Sequence, residues 1–179
     1  SRALNNFVMF LSTLGVSVPN FLLAVFLMLV FGVYLDIFPI IGLKTPLHFV
    51  LPTIAVSLHP IAMISRLTRT SMMEVMRQDY MVLAKSKGTA KWVAVLKHGL
   101  RNALLPVVTY AGPLIANLLT GSFVVETLFS IPGIGSEFVG SVTNRDYTLI
   151  MGLTIFMGFL VIAMNLLSDV VSAWVDPRI

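Results

Sequence analysis

Long charge-free stretches separated by short polar or basic interruptions dominate the chain. Asp, Glu, Lys and Arg are absent from 3–35 (33 residues), 45–65 (21), 102–125 (24) and 147–168 (22). A helix needs roughly 20 apolar residues to cross a hydrocarbon core about 30 Å thick, and every one of these runs is long enough. The pattern predicts four membrane-spanning helices near 9–34, 48–66, 103–125 and 148–172 in one transmembrane domain over 1–179, an all-α integral membrane fold. Prolines punctuate three of the spans: Pro19, then Pro52 and Pro60, then Pro106 and Pro113. Proline removes a backbone donor and kinks a helix; membrane helices tolerate this when neighbours or water satisfy the freed carbonyl. Simple tolerance and bent helices lining a pathway both fit.

Composition removes the competing classes. Hydrophobic residues make up 57% of the chain and charged residues 11%, with mean hydropathy +0.93. Soluble domains carry about 25% charged residues, so a water-exposed globular surface cannot be built here, and disorder needs low hydrophobicity instead. Cysteine is absent, which excludes disulfides, thiolate metal sites and cysteine nucleophiles. No G-x-x-x-x-G-K-[ST] phosphate loop and no H-E-x-x-H occurs, and Gly133/Gly135 is a lone G-x-G without nucleotide-binding weight. The chain is expected to be no enzyme by itself and to hold no cofactor. His48, His59 and His98 are scattered and lack a second ligand at helical spacing, so no metal is expected. The ten methionines read as gap-fillers in apolar packing.

Charge sets the expected orientation. Eight of the twelve Lys/Arg residues (Arg66, Arg69, Arg77, Lys85, Lys87, Lys91, Lys97, Arg101) lie between the second and third spans, opposed by Glu74 and Asp79. Short loops rich in Lys and Arg stay in the cytoplasm. With 67–101 inside, Arg2 and Arg178 also fall inside, and Lys44 and Arg145 remain outside. Both ends of the chain are therefore expected on the cytoplasmic face.

That basic loop carries the most information. Ser71 with Glu74 has the form of a capping box and predicts a helix start, with Met76, Tyr80, Leu83 and Ala84 on one face. Gly88 stands where a left-handed residue ends a helix. Thr89 then caps a second helix with Trp92, Val95, Leu96 and Leu100 on its apolar side. Two readings of this helix–glycine–helix stay open on physical grounds: a basic segment on anionic lipid, or an element entering a groove of a cytoplasmic protein. Nucleic acid is not an expected partner, because no binding fold or aromatic platform accompanies the charge.

The outer connections differ. Residues 36–47 read as a plain Pro/Gly-containing loop. Residues 126–147 are too apolar for one, and predict a short amphipathic or re-entrant helix starting near Ser136 after the Pro132-Gly133 turn. Glu126 either borders a translocation path or anchors the external turn; Asn117 and Asn165 are candidates for hydrogen bonds across helices, and Asp169 lies near the inner end of the last span. Asn117 and Glu126 are the candidate pathway or gate residues.

The stretch DYMVLAKSKG followed by LKHGLRNALLP resembles the cytoplasmic signature loop of ABC-importer permeases. VVETLFSIPGIGSEFVGSVTNRDY and DVVSAWVDPRI resemble the oligopeptide/dipeptide/nickel branch, most nearly the B-type membrane subunit of oligopeptide permeases. The resemblance covers essentially all 179 residues and implies a type I importer fold. It also implies that two further spans precede the four of this chain. Val82, Leu83 and Ala84 take the Glu-Ala-Ala positions of the signature, of which only the last alanine matches, and Gly88 takes the motif glycine. The implied ATPase-coupling residues are Asp79, Tyr80, Val82, Leu83, Ala84, Lys85, Gly88 and Lys91. Implied partners are a second homologous permease subunit, two ABC ATPase subunits that hold ATP and Mg, and an extracellular or periplasmic substrate-binding protein, in a bacterial inner membrane. The implied cargo is an oligopeptide or dipeptide. A non-transporting anchor that holds a cytoplasmic protein through the basic loop is the alternative.

Overall fold

The computed structural model describes Met9, Ser12, Thr13 and residues 15–175, apart from the side chains of Lys85, Lys91, Lys97, His98 and Val175. Helices and connecting turns make up all of the described residues. Helix α1, Asn20–Tyr34, begins after Pro19, whose extended backbone separates it from the helical residues 15–17 and so interrupts the expected span. It widens to π-helix over Met28–Tyr34, where Gly32 packs against Ile40 of the following loop. The expected span 9–34 lies partly outside the described residues.

Helix α2, Pro46–Val75, opens with a tight 3₁₀ turn, Pro46–Phe49. The buried His48 fastens this turn: its Nδ1 accepts the Thr45 N–H at 3.2 Å and lies 2.8 Å from Thr45 Oγ1. The helix then runs through Ser71 and Glu74, which corrects the expected helix start there. Neither Gly nor Pro interrupts 61–75, and Ser71 is buried in mid-helix. The new helix starts instead at Asp79, beyond a turn at 76–78. Helix α3, Asp79–Ser86, and helical segment α4, 91–103, with π-helix over Ala94–Leu100, form the basic end.

The third apolar run is one stretch long enough to cross a membrane, Leu105–Leu128, with a local interruption of its helix that the sequence pattern does not predict. Helix α5, Leu105–Thr120, stops at Gly121 (φ +82°), and α6, Phe123–Leu128, restarts after Ser122. Helix α7, Ile134–Asn144, follows the Pro132-Gly133 turn, and α8, Tyr147–Val175, returns along α5. Of the five span prolines, Pro60 and Pro113 are internal to helices, whereas Pro19, Pro52 and Pro106 stand at or near helix starts.

Three described helical stretches are long and apolar enough to cross a membrane: Pro46–Val75, Leu105–Leu128 and Tyr147–Trp174. α1 is shorter. The closest helix crossing joins α5 to α8 through small residues. A side chain at Gly112 would meet Ser168 Cβ at 2.5 Å and the Met164 carbonyl oxygen at 2.9 Å. Ser168 Oγ donates to the Val108 carbonyl at 2.7 Å, and Thr109 Oγ1 lies 3.3 Å from Ser172 Oγ. The cross-helix bonds thus come from serines, not from Asn117 or Asn165. Such small-residue contacts suit lipid, where apolar burial between helices brings little gain. The rest of α8 turns apolar side chains outward, with Ile155, Phe159, Ile162 and Trp174 each well over half exposed.

A second cluster closes the end away from the basic segment. Ala24 and Leu27 of α1, Leu51 and Ala55 of α2, and Val125 with Phe129 at α6 are buried together. This cluster fixes α6, and so the position of Glu126.

Candidate functional sites at the two ends

At the basic end, α3 is held by few contacts. Its own Met81 is fully buried, and Tyr80 Oη accepts a hydrogen bond from Asn102 Nδ2 at 2.9 Å, tying α3 to α4. Val82 and Leu83 stay more than half exposed. The helix ends in the geometry expected of Gly88: its φ is +76°, and the Thr89 N–H donates to the Ala84 carbonyl at 3.1 Å. A side chain at Gly88 would meet nothing within 4 Å. Backbone conformation alone, not crowding, asks for glycine there within this chain. Tyr80, Leu83, Ala84, Lys87 and Thr89 line a cleft of about 350 Å³.

On α4 the apolar side named from the sequence is left largely outward, and small residues face the chain. Ala94 and Gly99 are buried, and Gly99 lies near the sulfurs of Met72 and Met76. Trp92 and Leu96 are exposed instead. Small residues let α4 approach the end of α2, and the bulky ones are left on the outside. Of the implied coupling residues, Tyr80, Leu83 and Ala84 come together at the α3 cleft, and Val82 and Gly88 do not line it. Asp79 begins α3, and the side chains of Lys85 and Lys91 lie outside the described residues.

At the opposite end, one carboxylate organises the turn between α6 and α7. The N-cap of α7 is Gly133, which has no side chain to accept the orphan N–H groups of the first turn. Glu126 supplies the acceptor from α6: the Ser136 N–H donates to its Oε2 at 2.9 Å. Ser136 Oγ in turn accepts the Gly133 N–H at 3.0 Å and donates to the carbonyls of Ile131 and Gly133. A carboxylate at a helix N-terminus also meets the positive end of the helix dipole. Three glycines make room for it, because a Cβ at Gly121, Gly133 or Gly135 would collide with the carboxylate. Phe123 stacks on Phe138 across the same turn, 5.3 Å between ring centres. The sequence pattern gives Gly133/Gly135 no role as a phosphate loop and does not reveal this cradle. The available signal is the clustering of Gly121, Gly133 and Gly135 within nine residues of Glu126.

Glu126 lines two cavities, one on each side of the turn. The larger, about 430 Å³, lies between α2 and the α5–α6 break and includes Thr53, Ser57, Pro60, Gly121 and Ser122. The other, about 410 Å³, includes Ser130, Ser136 and Gly140. Asn117 is exposed on α5 and is not brought to Glu126. His48 is committed to its turn, His59 borders a cleft beside Pro19, and the side chain of His98 lies outside the described residues. No group of three or more His, Asp or Glu that could hold a metal occurs among the described residues.

Residues 1–179 match the protein family described as the inner membrane component of binding-protein-dependent transport systems. The dipeptide transport system permease protein DppB of Bacillus subtilis (strain 168) is 50% identical over 171 residues, which covers 96% of this chain and 56% of the relative. DppB of Lactococcus lactis subsp. cremoris (strain MG1363) is 44% identical over 170 residues, covering 95% of this chain and 56% of the relative. The oligopeptide transport system permease protein OppB of Haemophilus influenzae is 42% identical over 170 residues, with 94% and 56% covered. The chain thus spans little more than half the length of these relatives.

Proposed function

The chain belongs to the family of inner membrane components of binding-protein-dependent transport systems, and on that premise we propose that it forms part of the translocation pathway of an ATP-driven importer for dipeptides or oligopeptides. The cargo class is supported by relatives named for dipeptide and oligopeptide transport. In this reading α3 is the coupling helix. It enters a groove of an ATPase subunit, and closure of two such subunits around ATP and Mg drives the spans between outward- and inward-facing arrangements. A second homologous permease subunit and an external substrate-binding protein complete the assembly. The 67–101 loop and both ends of this chain face the cytoplasm.

The observation that carries the coupling role is the exposure of Val82 and Leu83 on a short helix closed by a left-handed Gly88 with open space around it. Apolar side chains held out beside basic residues suit a protein groove with an acidic rim. Reconstitution with both permeases and both ATPases tests the reading. Peptide uptake should require ATP and the external receptor. Ala84→Glu and Gly88→Glu should abolish uptake and co-purification of the ATPase, since an unpaired carboxylate buried in a groove costs several kcal/mol. Retention of both activities by Gly88→Glu overturns the coupling assignment. A greater loss of uptake on removing Lys85, Lys87 and Lys91 together than from Gly88→Glu, with the ATPase still bound to Gly88→Glu, favours a lipid-facing loop instead.

A further inference from the structure

The carboxylate of Glu126 is only half committed to the α7 turn. Oε2 accepts the Ser136 N–H, and among the described residues Oε1 accepts no hydrogen bond. No buried side-chain oxygen among the described residues lacks a partner, so Oε1 is not sealed from solvent. The two oxygens point to different sides. Oε1 is the one nearest Gly121, which lines the larger cavity, whereas the Ser136 bound by Oε2 lines the smaller.

The larger cavity carries acceptors and no cation of its own. Glu126 is the sole charged residue in its lining. Pro60 cannot donate to the carbonyl of Val56 one turn earlier, and both residues line the cavity, as do the hydroxyl residues Thr53, Ser57 and Ser122. The remaining wall is aliphatic. Its volume, about 430 Å³, lies within the roughly 300–1,000 Å³ of small-molecule sites. Within this lining the carboxylate alone sets the sign of charge that the recess attracts.

We propose that this cavity is a binding subsite for the α-ammonium group of a transported peptide, with Glu126 Oε1 as its anionic partner and the aliphatic wall beside the first side chain. The α-ammonium is the one cation that every peptide with a free N-terminus carries whatever its sequence, so a carrier of varied peptides gains a common handle from it. The inference rests on the peptide-import reading above.

The test uses the absence of cysteine from the chain. In a subunit whose cysteines outside residues 1–179, where present, are first replaced by serine, Ser57→Cys places a thiol in the cavity wall within the complete reconstituted transporter. It is labelled by a cationic alkylammonium thiosulfonate and by a neutral analogue of equal size, and the subunit is then isolated. The cationic reagent should react roughly tenfold faster, as expected for a cleft that concentrates one sign of charge. Glu126→Gln should bring the two rates together while leaving the neutral rate unchanged. Dialanine should slow labelling, and N-acetyl-dialanine, which lacks the ammonium, should not. Where Glu126→Gln alters the neutral rate as well, the two peptides compared on the Glu126 chain decide. Equal reagent rates, a thiol reached by neither reagent, or equal protection by both peptides overturns the subsite. Charge preference and selective protection without ATP-driven uptake leave the subsite standing and overturn the import reading, whereas normal uptake with no charge preference does the reverse.

Discussion

Gly121, Gly133 and Gly135 lack side chains because one carboxylate fills the space a Cβ would take. The three are not equivalent. Gly133 has an extended backbone, φ −157°, that any residue adopts, so Gly133→Ala is a purely steric change. Its Cβ would stand 2.5 Å from Glu126 Oε2, forcing the carboxylate away and leaving the Ser136 N–H without its acceptor. Hydrogen bonds to charged groups are worth about 1.5–3 kcal/mol. The expected loss is of that order and appears as a lower Tm of the purified complex. Gly140→Ala is the control: in the same turn region, within α7, its Cβ meets nothing within 4 Å, and alanine should leave Tm unchanged or raise it slightly. A double-mutant cycle locates the cause. Once Glu126→Ala has emptied the cradle, Gly133→Ala should cost almost nothing more.

Among the elements, the α5–α8 crossing and α3 obey opposite constraints. Gly112 faces Ser168 Cβ and a backbone carbonyl, neither of which is the yielding end of a long side chain. Gly112→Val should therefore prevent close packing of α8 and abolish accumulation of the folded subunit, read by protease resistance in the membrane. Leu83→Ser should do the contrary. Leu83 is 57% exposed, so the change should leave the subunit folded and inserted while weakening ATPase co-purification by roughly tenfold, near the loss of one buried leucine contact at an interface. These elements also mark what sequence can reveal. The left-handed end at Gly88 and the helix after Pro132-Gly133 are legible because each depends on local backbone chemistry. Ser71 and Glu74 mislead, since two residue types at a spacing of three also occur inside a helix, and nothing local separates the cases. The break at Gly121 is hidden because an apolar run of 24 residues averages over one glycine. The cradle is hidden because Glu126 and Ser136 meet only when the turn has folded. Trp92 and Leu96 stand outward while small Ala94 and Gly99 face the chain and bring α4 close to α2, a division between the two sides that hydrophobicity alone does not give.

For the whole molecule, the charge asymmetry and the fold make one joint demand. The helices place 35–46 and 121–147 at one end and 76–103 at the other, so these groups must face opposite sides of any membrane the spans cross. The excess of Lys and Arg in 67–101 predicts that the basic end faces the cytoplasm. Single cysteines in the otherwise cysteine-free chain test this, provided the probes are placed on exposed side chains. Ser141 is a poor probe because it is buried and bonded to the Phe138 carbonyl. Lys44, Thr143 and Lys87 are exposed. In sealed cells, Lys44→Cys and Thr143→Cys should react with an impermeant thiol reagent added outside, and Lys87→Cys only after the inner face is opened. Labelling of all three from outside would mean that the spans do not separate the two ends. Labelling of Lys87→Cys alone would invert the orientation and leave α3 facing the external receptor, where no ATPase can reach it.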